Sequence, residues 1–150
     1  MANYDLTVNQ GGQPAEAGQR LIAFERIVKF ADQNLAGTDT ADIIDLPGNI
    51  KVVAARAKTM TAEGATLTFD VGISGVAADS LIDGANGNSA GNEHQSGDGT
   101  NDKLLAADGY KVPSSGATVR VTANNAAASA VVRIQVTAFD MRDTMNDPAA

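Results

Sequence analysis

The segment from Ala65 to Ile73 alternates apolar and polar residues, and no other feature of the sequence constrains the fold as strongly. In an extended chain Leu67, Phe69, Val71 and Ile73 point to one side, and the residues between them point to the other. A period of two is typical of a β-strand that buries one face against a core. This segment therefore predicts a sheet with one dry face and one face turned to solvent or to another subunit.

Other short segments repeat this alternation or are rich in β-branched residues, and turn residues separate them. TAEG is expected to turn the chain back into the strand ATLTFDVGI, and ANNAAAS is expected to connect a second hairpin. About six short strands with Gly, Asn and Pro between them predict an all-β sandwich or barrel. The remaining predicted strands are ADIIDLPG, NIKVVAARAKTM, KLLAA, GATVRVTA and AVVRIQVTAF.

Residues 17–35 fit two interpretations. A helix is favoured by an apolar stripe at steps of three and four, and Pro14-Ala15-Glu16 suits a first helical turn. A strand is favoured by a set of apolar residues at every second position, interrupted by Arg26. A short N-terminal helix and a strand from about Glu25 onward both stay open. The helical stripe is Ala17, Leu21, Phe24, Val28, Ala31 and Leu35, and the strand set is Ile22, Phe24, Val28 and Phe30.

The chain of 150 residues suits one domain. Residues 1–19 are polar and broken by Gly and Pro, which predicts a flexible N-terminal arm. Residues 20–141 form the predicted sandwich domain, and residues 142–150 form a polar tail. Within the domain, residues 74–102 are dominated by Gly, Asn, Ser and Asp, which predicts a long loop that is either functional or mobile.

Charge and composition exclude several classes of function. A net charge of −7 with dispersed basic residues argues against a nucleic-acid partner. The absence of cysteine excludes disulfides and thiolate metal sites. No apolar run approaches the roughly 20 residues that span a bilayer, so no membrane partner is predicted. The opening residues MANYDLTVNQGG lack the features of a secretory signal, which predicts synthesis in the cytoplasm.

Candidates for catalysis are few. His94 is the single histidine, and its glycine-rich surroundings predict a solvated surface side chain rather than a general base. Asp42 and Asp45, or Asp98 and Asp102, are carboxylate pairs close in sequence. A chain with no tryptophan and two tyrosines does not offer the stacking rings of a sugar cleft. We therefore predict that the protein is not an enzyme and uses no cofactor.

Two sets of residues remain as candidates for binding. The oxygen atoms of Asp98, Asn101 and Asp102 suit calcium, although the spacing of an EF-hand is missing and exposed turns favour the same residues. Polar residues on the strands suggest an interaction surface, because sheet edges without a lysine or proline block invite coverage by neighbours. The interface candidates are Thr66, Thr68, Arg120, Thr122, Arg133 and Gln135.

The order of these segments resembles a group of small virion proteins of tailed bacteriophages, often encoded beside the major capsid protein. The resemblance covers roughly Glu25 to Met141. It rests on the Leu-Pro-Gly turn of IIDLPGNI, a Val-rich strand, TAEGATLTFDVGISG, a variable Gly/Asn/Asp loop, KLLAADGY, and GATVRVTANNAAASAVVRIQVTAFDM. The first 24 residues have no counterpart in the family, and the family has no motif that marks the residues contacting the capsid.

The resemblance implies a β-sandwich of the jelly-roll form. It further implies a capsid decoration or cement protein, commonly a homotrimer, that binds the major capsid protein on the exterior of the virion. Two alternatives stay open, a component of the tail or of a head fibre, and a carbohydrate-binding module for host attachment. The lack of tryptophan argues against the second alternative.

Overall fold

A computed structural model describes residues 20–96 and 109–141, and within these ranges the chain forms strands and no helix. The predicted arm, the predicted tail and the predicted strand KLLAA lie outside the described residues. The nine strands are β1 (Arg20–Lys29), β2 (Thr40–Leu46), β3 (Ile50–Thr61), β4 (Thr68–Ile73), β5 (Ala77–Asn86), β6 (Glu93–Gln95), β7 (Tyr110–Lys111), β8 (Ala117–Ala123) and β9 (Val131–Asp140).

The strands form two antiparallel sheets. Sheet 1 has the order β1-β9-β3-β6, with the short β7 also paired to β3, and sheet 2 has the order β2-β8-β4-β5. The chain thus pairs β1 with β9 in one sheet and β2 with β8 in the other. Among the strands of the described ranges, only β4 and β5 form a hairpin between consecutive strands of one sheet. Apart from the two-residue β7, each sheet has four strands, and two four-stranded sheets wound in this order are a jelly roll. The predicted sandwich and its jelly-roll form are therefore confirmed.

Two predicted hairpins are wrong. β3 belongs to sheet 1 and β4 to sheet 2, so the segment TAEG carries the chain across the sandwich. The segment ANNAAAS likewise crosses from β8 in sheet 2 to β9 in sheet 1. A short connecting segment between two alternating strands permits either connection, because the apolar face of each strand is buried equally well by a facing sheet. The Pro47-Gly48 turn, by contrast, ends β2 as predicted.

The core lies between the sheets. Leu67, Phe69, Val71 and Ile73 are all buried, which confirms the inward face predicted from their alternation. The predicted inward face of β9 is also buried, and β8 shows the same alternation. Several of the buried residues are alanine, which contribute less buried area than the larger apolar side chains. The largest fully buried side chains are Phe30, Phe69, Ile50, Leu67, Ile73, Leu81 and Ile134.

The helical interpretation of residues 17–35 is wrong over the described residues. β1 pairs with β9 along its whole length, from Arg20 opposite Asp140 to Lys29 opposite Val131. Arg26, which interrupts the apolar face of this strand, is exposed although its neighbours on that face are partly buried. β1 is an edge strand, so a charged side chain at this position reaches solvent from the rim of the sandwich.

The prediction of one long loop over residues 74–102 is also wrong. β5 and β6 lie within it, and Leu81, Ile82 and Ala85 of β5 belong to the core. The register of β5 against β4 shifts at two places. These bulges break the period of two on which a strand assignment from sequence depends, so the strand was hidden by its irregularity.

Three crossing segments meet at one end of the sandwich, namely residues 30–39, 62–67 and 124–130. Leu35 and Ala127 form a two-way backbone bridge between the first and the third. The Glu63 carboxylate joins the second to the third, since it accepts hydrogen bonds from the backbone N–H groups of Ala128, Ser129 and Ala130 at 2.9–3.0 Å. The Ser129 hydroxyl also donates to Glu63 at 2.8 Å.

Candidate functional site

The structure divides the predicted interface residues between opposite sides of the molecule. Thr68, Arg120 and Thr122 lie on the outer face of sheet 2, whereas Arg133 and Gln135 lie on the outer face of sheet 1. Thr66 is exposed in the segment that crosses between the sheets. The six residues therefore do not form one contiguous surface, and their role in contacts stays a prediction for each face separately.

The outer face of sheet 2, here called the sheet 2 face, carries polar residues that bond to one another or to the backbone. The Arg120 guanidinium holds both oxygens of Asp42, with Nε–Oδ1 at 2.6 Å and Nη2–Oδ2 at 3.2 Å. These hydrogen bonds lower the pKa of Asp42 below its usual value. The Thr118 hydroxyl donates to Asp45 at 3.3 Å. The face comprises Thr40, Asp42, Asp45, Thr68, Asp70, Gly72, Thr118, Arg120 and Thr122.

Asp70 is the most enclosed charge of the sheet 2 face. The residue is 9% exposed, and its Oδ1 accepts hydrogen bonds from the backbone N–H of Gly84 at 2.7 Å and from Asn124 Nδ2 at 3.1 Å. Gly84 lies in the irregular part of β5, and Asn124 begins the segment that leaves β8. The carboxylate therefore ties a bulged edge strand and a crossing segment to the centre of the sheet.

A shallow pocket of about 200 Å³ opens on the sheet 2 face beside the β4–β5 turn. Its walls include Thr40, Arg120, Thr122 and Val76. The buried hydroxyl of Thr122 has no hydrogen-bond partner within the described part of the chain. Arg120, which also lines this pocket, is paired with Asp42.

The outer face of sheet 1, here called the sheet 1 face, has the opposite charge balance. Among the described residues it carries two acidic and six basic residues, the latter being Lys29, Lys51, Arg56, Lys58, Lys111 and Arg133. Both acids lie beside basic groups: Glu93 pairs with Arg56 at 2.7 Å and Lys58 at 3.5 Å, and Glu25 lies 3.8 Å from Arg133. The hydrogen bond from Arg56 lowers the pKa of Glu93.

The sheet 1 face also carries exposed apolar side chains. The described residues include five large hydrophobic side chains that are substantially exposed, and four of them belong to β1, β3 or β9. Leu21 is 62% exposed and lies opposite Phe139, which in turn lies opposite Lys51. The four are Leu21, Ile27, Met60 and Phe139, and the fifth is Val76 in the β4–β5 turn.

Sequence reasoning overlooked these apolar residues although a signal was present. In β9 the inward set is Val132, Ile134, Val136 and Ala138, so the outward set should be polar throughout. Phe139 breaks that rule. In β1, once the strand is recognised, Leu21 and Ile27 stand in the outward set for the same reason. The ambiguity between helix and strand over residues 17–35 concealed the second signal.

The prediction that His94 is a solvated residue of a loop is wrong. It lies on β6 opposite Ala57, is partly buried, and its Nε2 accepts a hydrogen bond from the backbone N–H of Asn86 at 3.1 Å. This contact links β6 of sheet 1 to the end of β5 in sheet 2. Among the described residues, then, the histidine joins the two sheets rather than facing a nucleophile.

Glu63 is a further residue that sequence reasoning overlooked. Desolvation raises its pKa, but the hydrogen bonds from Ser129, Ala130 and Ala128 outweigh that effect and lower the pKa to about 2. Three consecutive backbone N–H groups directed at one carboxylate form an anion-binding nest. Here the anion is part of the chain itself, so the nest joins two crossing segments instead of binding a ligand.

A second pocket, of about 340 Å³, lies along the open side of the sandwich between edge strands β1 and β2. Arg26, Asp32 and Asp42 are among its lining residues. Within residues 20–96 and 109–141 no group of three His, Asp or Glu side chains is placed to hold a metal ion. The calcium candidates Asp98, Asn101 and Asp102 lie outside the described residues. No helix in the described ranges is long and apolar enough to cross a membrane.

Comparisons with known proteins agree at the level of the fold. No protein-family model matches this sequence, and no curated protein matches it. Among solved structures, the chain is similar to a chain of the cyanophage Pam1 capsid asymmetric unit, with a TM-score of 0.55, 19% identity, and coverage of 81% of this chain and 85% of that one.

Two other structures give similar values. A chain of the capsid of Ralstonia phage GP4 matches with a TM-score of 0.56 and 20% identity over 79% of this chain and 83% of that chain. A chain of the acid-stable capsid of Helicobacter pylori bacteriophage KHP30 matches with a TM-score of 0.52 and 12% identity over 81% and 92%. At these identities the matches show a shared fold, and that fold extends over most of each matched chain.

Proposed function

We propose that this protein is a structural component of a bacteriophage virion that decorates the outer surface of the head and cements its capsid. The observation that carries the proposal is the agreement of fold with chains from three phage capsid structures over about four fifths of this chain. The matched region also covers 83–92% of those chains, so the likeness extends over most of each one. The order of turns and strands described above points to the same role.

The proposed mechanism is binding to the capsid, without catalysis of a reaction. The partner is the major capsid protein, and the protein itself is a homotrimer, so that each particle-bound unit makes several identical contacts. Individually weak contacts become effective when they are linked, because the second binding event is intramolecular. An overall charge of −7 suits an exterior position, since it disfavours competition for the packaged DNA.

The structure supports a role without catalysis. The Asp42, Asp70 and Glu63 carboxylates each hold a neighbouring strand or segment in place. Groups committed to such contacts are not poised to exchange protons with a substrate. We include the arm, residues 1–19, in the proposed attachment to the capsid, and its deletion should weaken attachment while the sandwich remains folded.

Two measurements test the proposed function. The full-length protein should co-sediment with capsid shells assembled without it, and its mass in solution should be three times the chain mass of 15.3 kDa. Hundreds of copies per particle are expected for a decoration protein, whereas a dozen or fewer would favour a tail or head-fibre component. Failure to bind shells at saturating concentration would contradict the proposal, and specific binding to glycans instead would favour the carbohydrate-binding alternative.

A further inference from the structure

We propose that the sheet 1 face is the surface by which this protein docks, and that its partner is an acidic protein surface with exposed apolar side chains on the capsid. This inference rests on the proposed function, because the capsid is the partner considered. It adds which side of the molecule faces the capsid and what chemistry the capsid must offer there.

The distribution of apolar surface supports this choice of side. Leu21, Ile27, Met60 and Phe139 are between 37% and 62% exposed, and all four belong to strands of sheet 1. Single exposed hydrophobic residues are ordinary, but their concentration on one face of a small domain marks an interaction surface. The sheet 2 face has only Val76 at its margin, so the two faces differ in what they offer to a partner.

The charge on the sheet 1 face determines the partner's chemistry. Among the described residues, six basic groups and two acidic groups make this face positive, although the whole chain carries −7. Lys29 and Lys111 are exposed at the two ends of the face. A partner with carboxylates at the matching positions would be attracted at long range and oriented on contact.

Two other partners, a second copy of this chain and a nucleic acid, match the sheet 1 face less well. A second copy placed face to face would bring two positive surfaces together, which is repulsive. The sheet 2 face of a second copy is acidic, but its Asp42 and Asp70 are already bonded within their own chain. Because the two faces lie on opposite sides of the sandwich, stacking one on the other adds copies along a line and does not close into a trimer. Nucleic acid is disfavoured because Glu25, Glu93 and the four apolar side chains offer nothing to phosphate.

The test compares two double variants of the full chain that are matched in chemistry. Leu21→Ser with Lys111→Gln alters the sheet 1 face, and Val76→Ser with Thr40→Glu alters the sheet 2 side. Each replaces one exposed apolar residue by serine and changes the net charge by −1. Binding to capsid shells assembled without this protein is measured by co-sedimentation, and equal melting temperatures confirm that both variants are folded.

We expect the sheet 1 variant to bind shells roughly tenfold more weakly than the wild type, and the sheet 2 variant to bind as the wild type does. Equal binding by both variants, or weaker binding by the sheet 2 variant alone, would overturn the docking surface and leave the proposed function intact. Failure of the wild type to bind would overturn both. Loss of the trimer in the sheet 1 variant, or wild-type binding to duplex DNA as tight as to shells, would show that the face contacts something else.

Discussion

The two outer faces of the sandwich arise from the same alternation of side chains, but their polar groups are used differently. On the sheet 2 face, Asp42, Asp70 and Thr118 bond to neighbouring strands or to the backbone. On the sheet 1 face, apolar side chains are exposed beside lysines such as Lys29 and Lys111. The hydrogen-bonded groups of the sheet 2 face thus stabilise the fold, whereas the sheet 1 face has apolar side chains that remain exposed to solvent.

This difference predicts that substitutions of the hydrogen-bonded residues on the sheet 2 face change stability and that substitutions of the exposed residues on the sheet 1 face change binding. The physical reason is that a buried donor left without its acceptor costs free energy, while an exposed side chain of the free protein can be replaced by another at little cost.

The largest expected effect is at Gly72, at the centre of the sheet 2 face. A Cβ at this position would lie 2.1 Å from the backbone oxygen of Ala77 and 2.5 Å from that of Ala78, so the edge strand would have to move. Gly72→Ala should lower the free energy of unfolding by about 3 kcal/mol or prevent folding. Thermal denaturation measures it, with Gly64→Ala as control because nothing lies within 4 Å of that position. Equal effects of the two substitutions would contradict the close approach.

The next effect is expected at Asp70. Replacement by Ala leaves the Gly84 N–H and the Asn124 amide without their acceptor, at a cost of roughly 2–3 kcal/mol. Asp70→Asn is the matched control, since both contacts use one oxygen that an amide can supply. Urea denaturation should therefore place the Asn variant between the Ala variant and the wild type. An Ala variant as stable as the wild type would show that the hydrogen bonds of Asp70 do not stabilise the fold.

The stability of the protein should depend on pH through Glu63, which lies at the end of the sandwich where the segments that join the two sheets meet. Its pKa is about 2 in the folded protein and about 4.5 in the unfolded chain, so its contribution is complete above pH 4.5 and is lost as the pH falls toward 2. Glu63→Gln should cost roughly 1–2 kcal/mol at pH 7, a figure reduced for solvent exposure. The difference from the wild type should shrink between pH 4.5 and pH 2 in thermal denaturation. A constant difference over that range would exclude the carboxylate as its cause.

A smaller effect is expected from the ion pair of Arg120 and Asp42 on the sheet 2 face. The pair is solvent-exposed, so a double-mutant cycle with Arg120→Ala and Asp42→Ala should give a coupling free energy of less than about 1 kcal/mol. Salt at 1 M should reduce that coupling further by screening. A large coupling that persists in high salt would mean that the pair is not the weak surface contact its exposure indicates.

The smallest effect on stability is expected on the sheet 1 face. Leu21→Ser and Lys111→Gln should each change the free energy of unfolding by less than about 0.5 kcal/mol, because both side chains are exposed. Denaturation of the isolated protein measures this. A loss of stability as large as that of Asp70→Ala would show that the sheet 1 face serves the fold after all, and would remove the contrast between the faces.

Much of the fold could be predicted from local patterns. Regular alternation identified β4, β8 and β9 together with the residues that they bury. β5 escaped because its bulges break the period of two, and β1 was ambiguous because its apolar residues also fit a helical stripe. The interface candidates were chosen as outward-facing polar residues, and no local pattern could reveal that they lie on two opposite faces.

The sequence by itself determined that the chain forms short strands with one buried side, because the alternation of side chains is a local property of an extended backbone. Only the tertiary structure decided which strands share a sheet. A segment such as TAEG can join neighbours in one sheet or cross the sandwich, and the outcome depends on contacts with distant residues, such as those between Glu63 and residues 128–130. The separation of a basic face from an acidic one follows from that pairing, since it places residues far apart in sequence side by side.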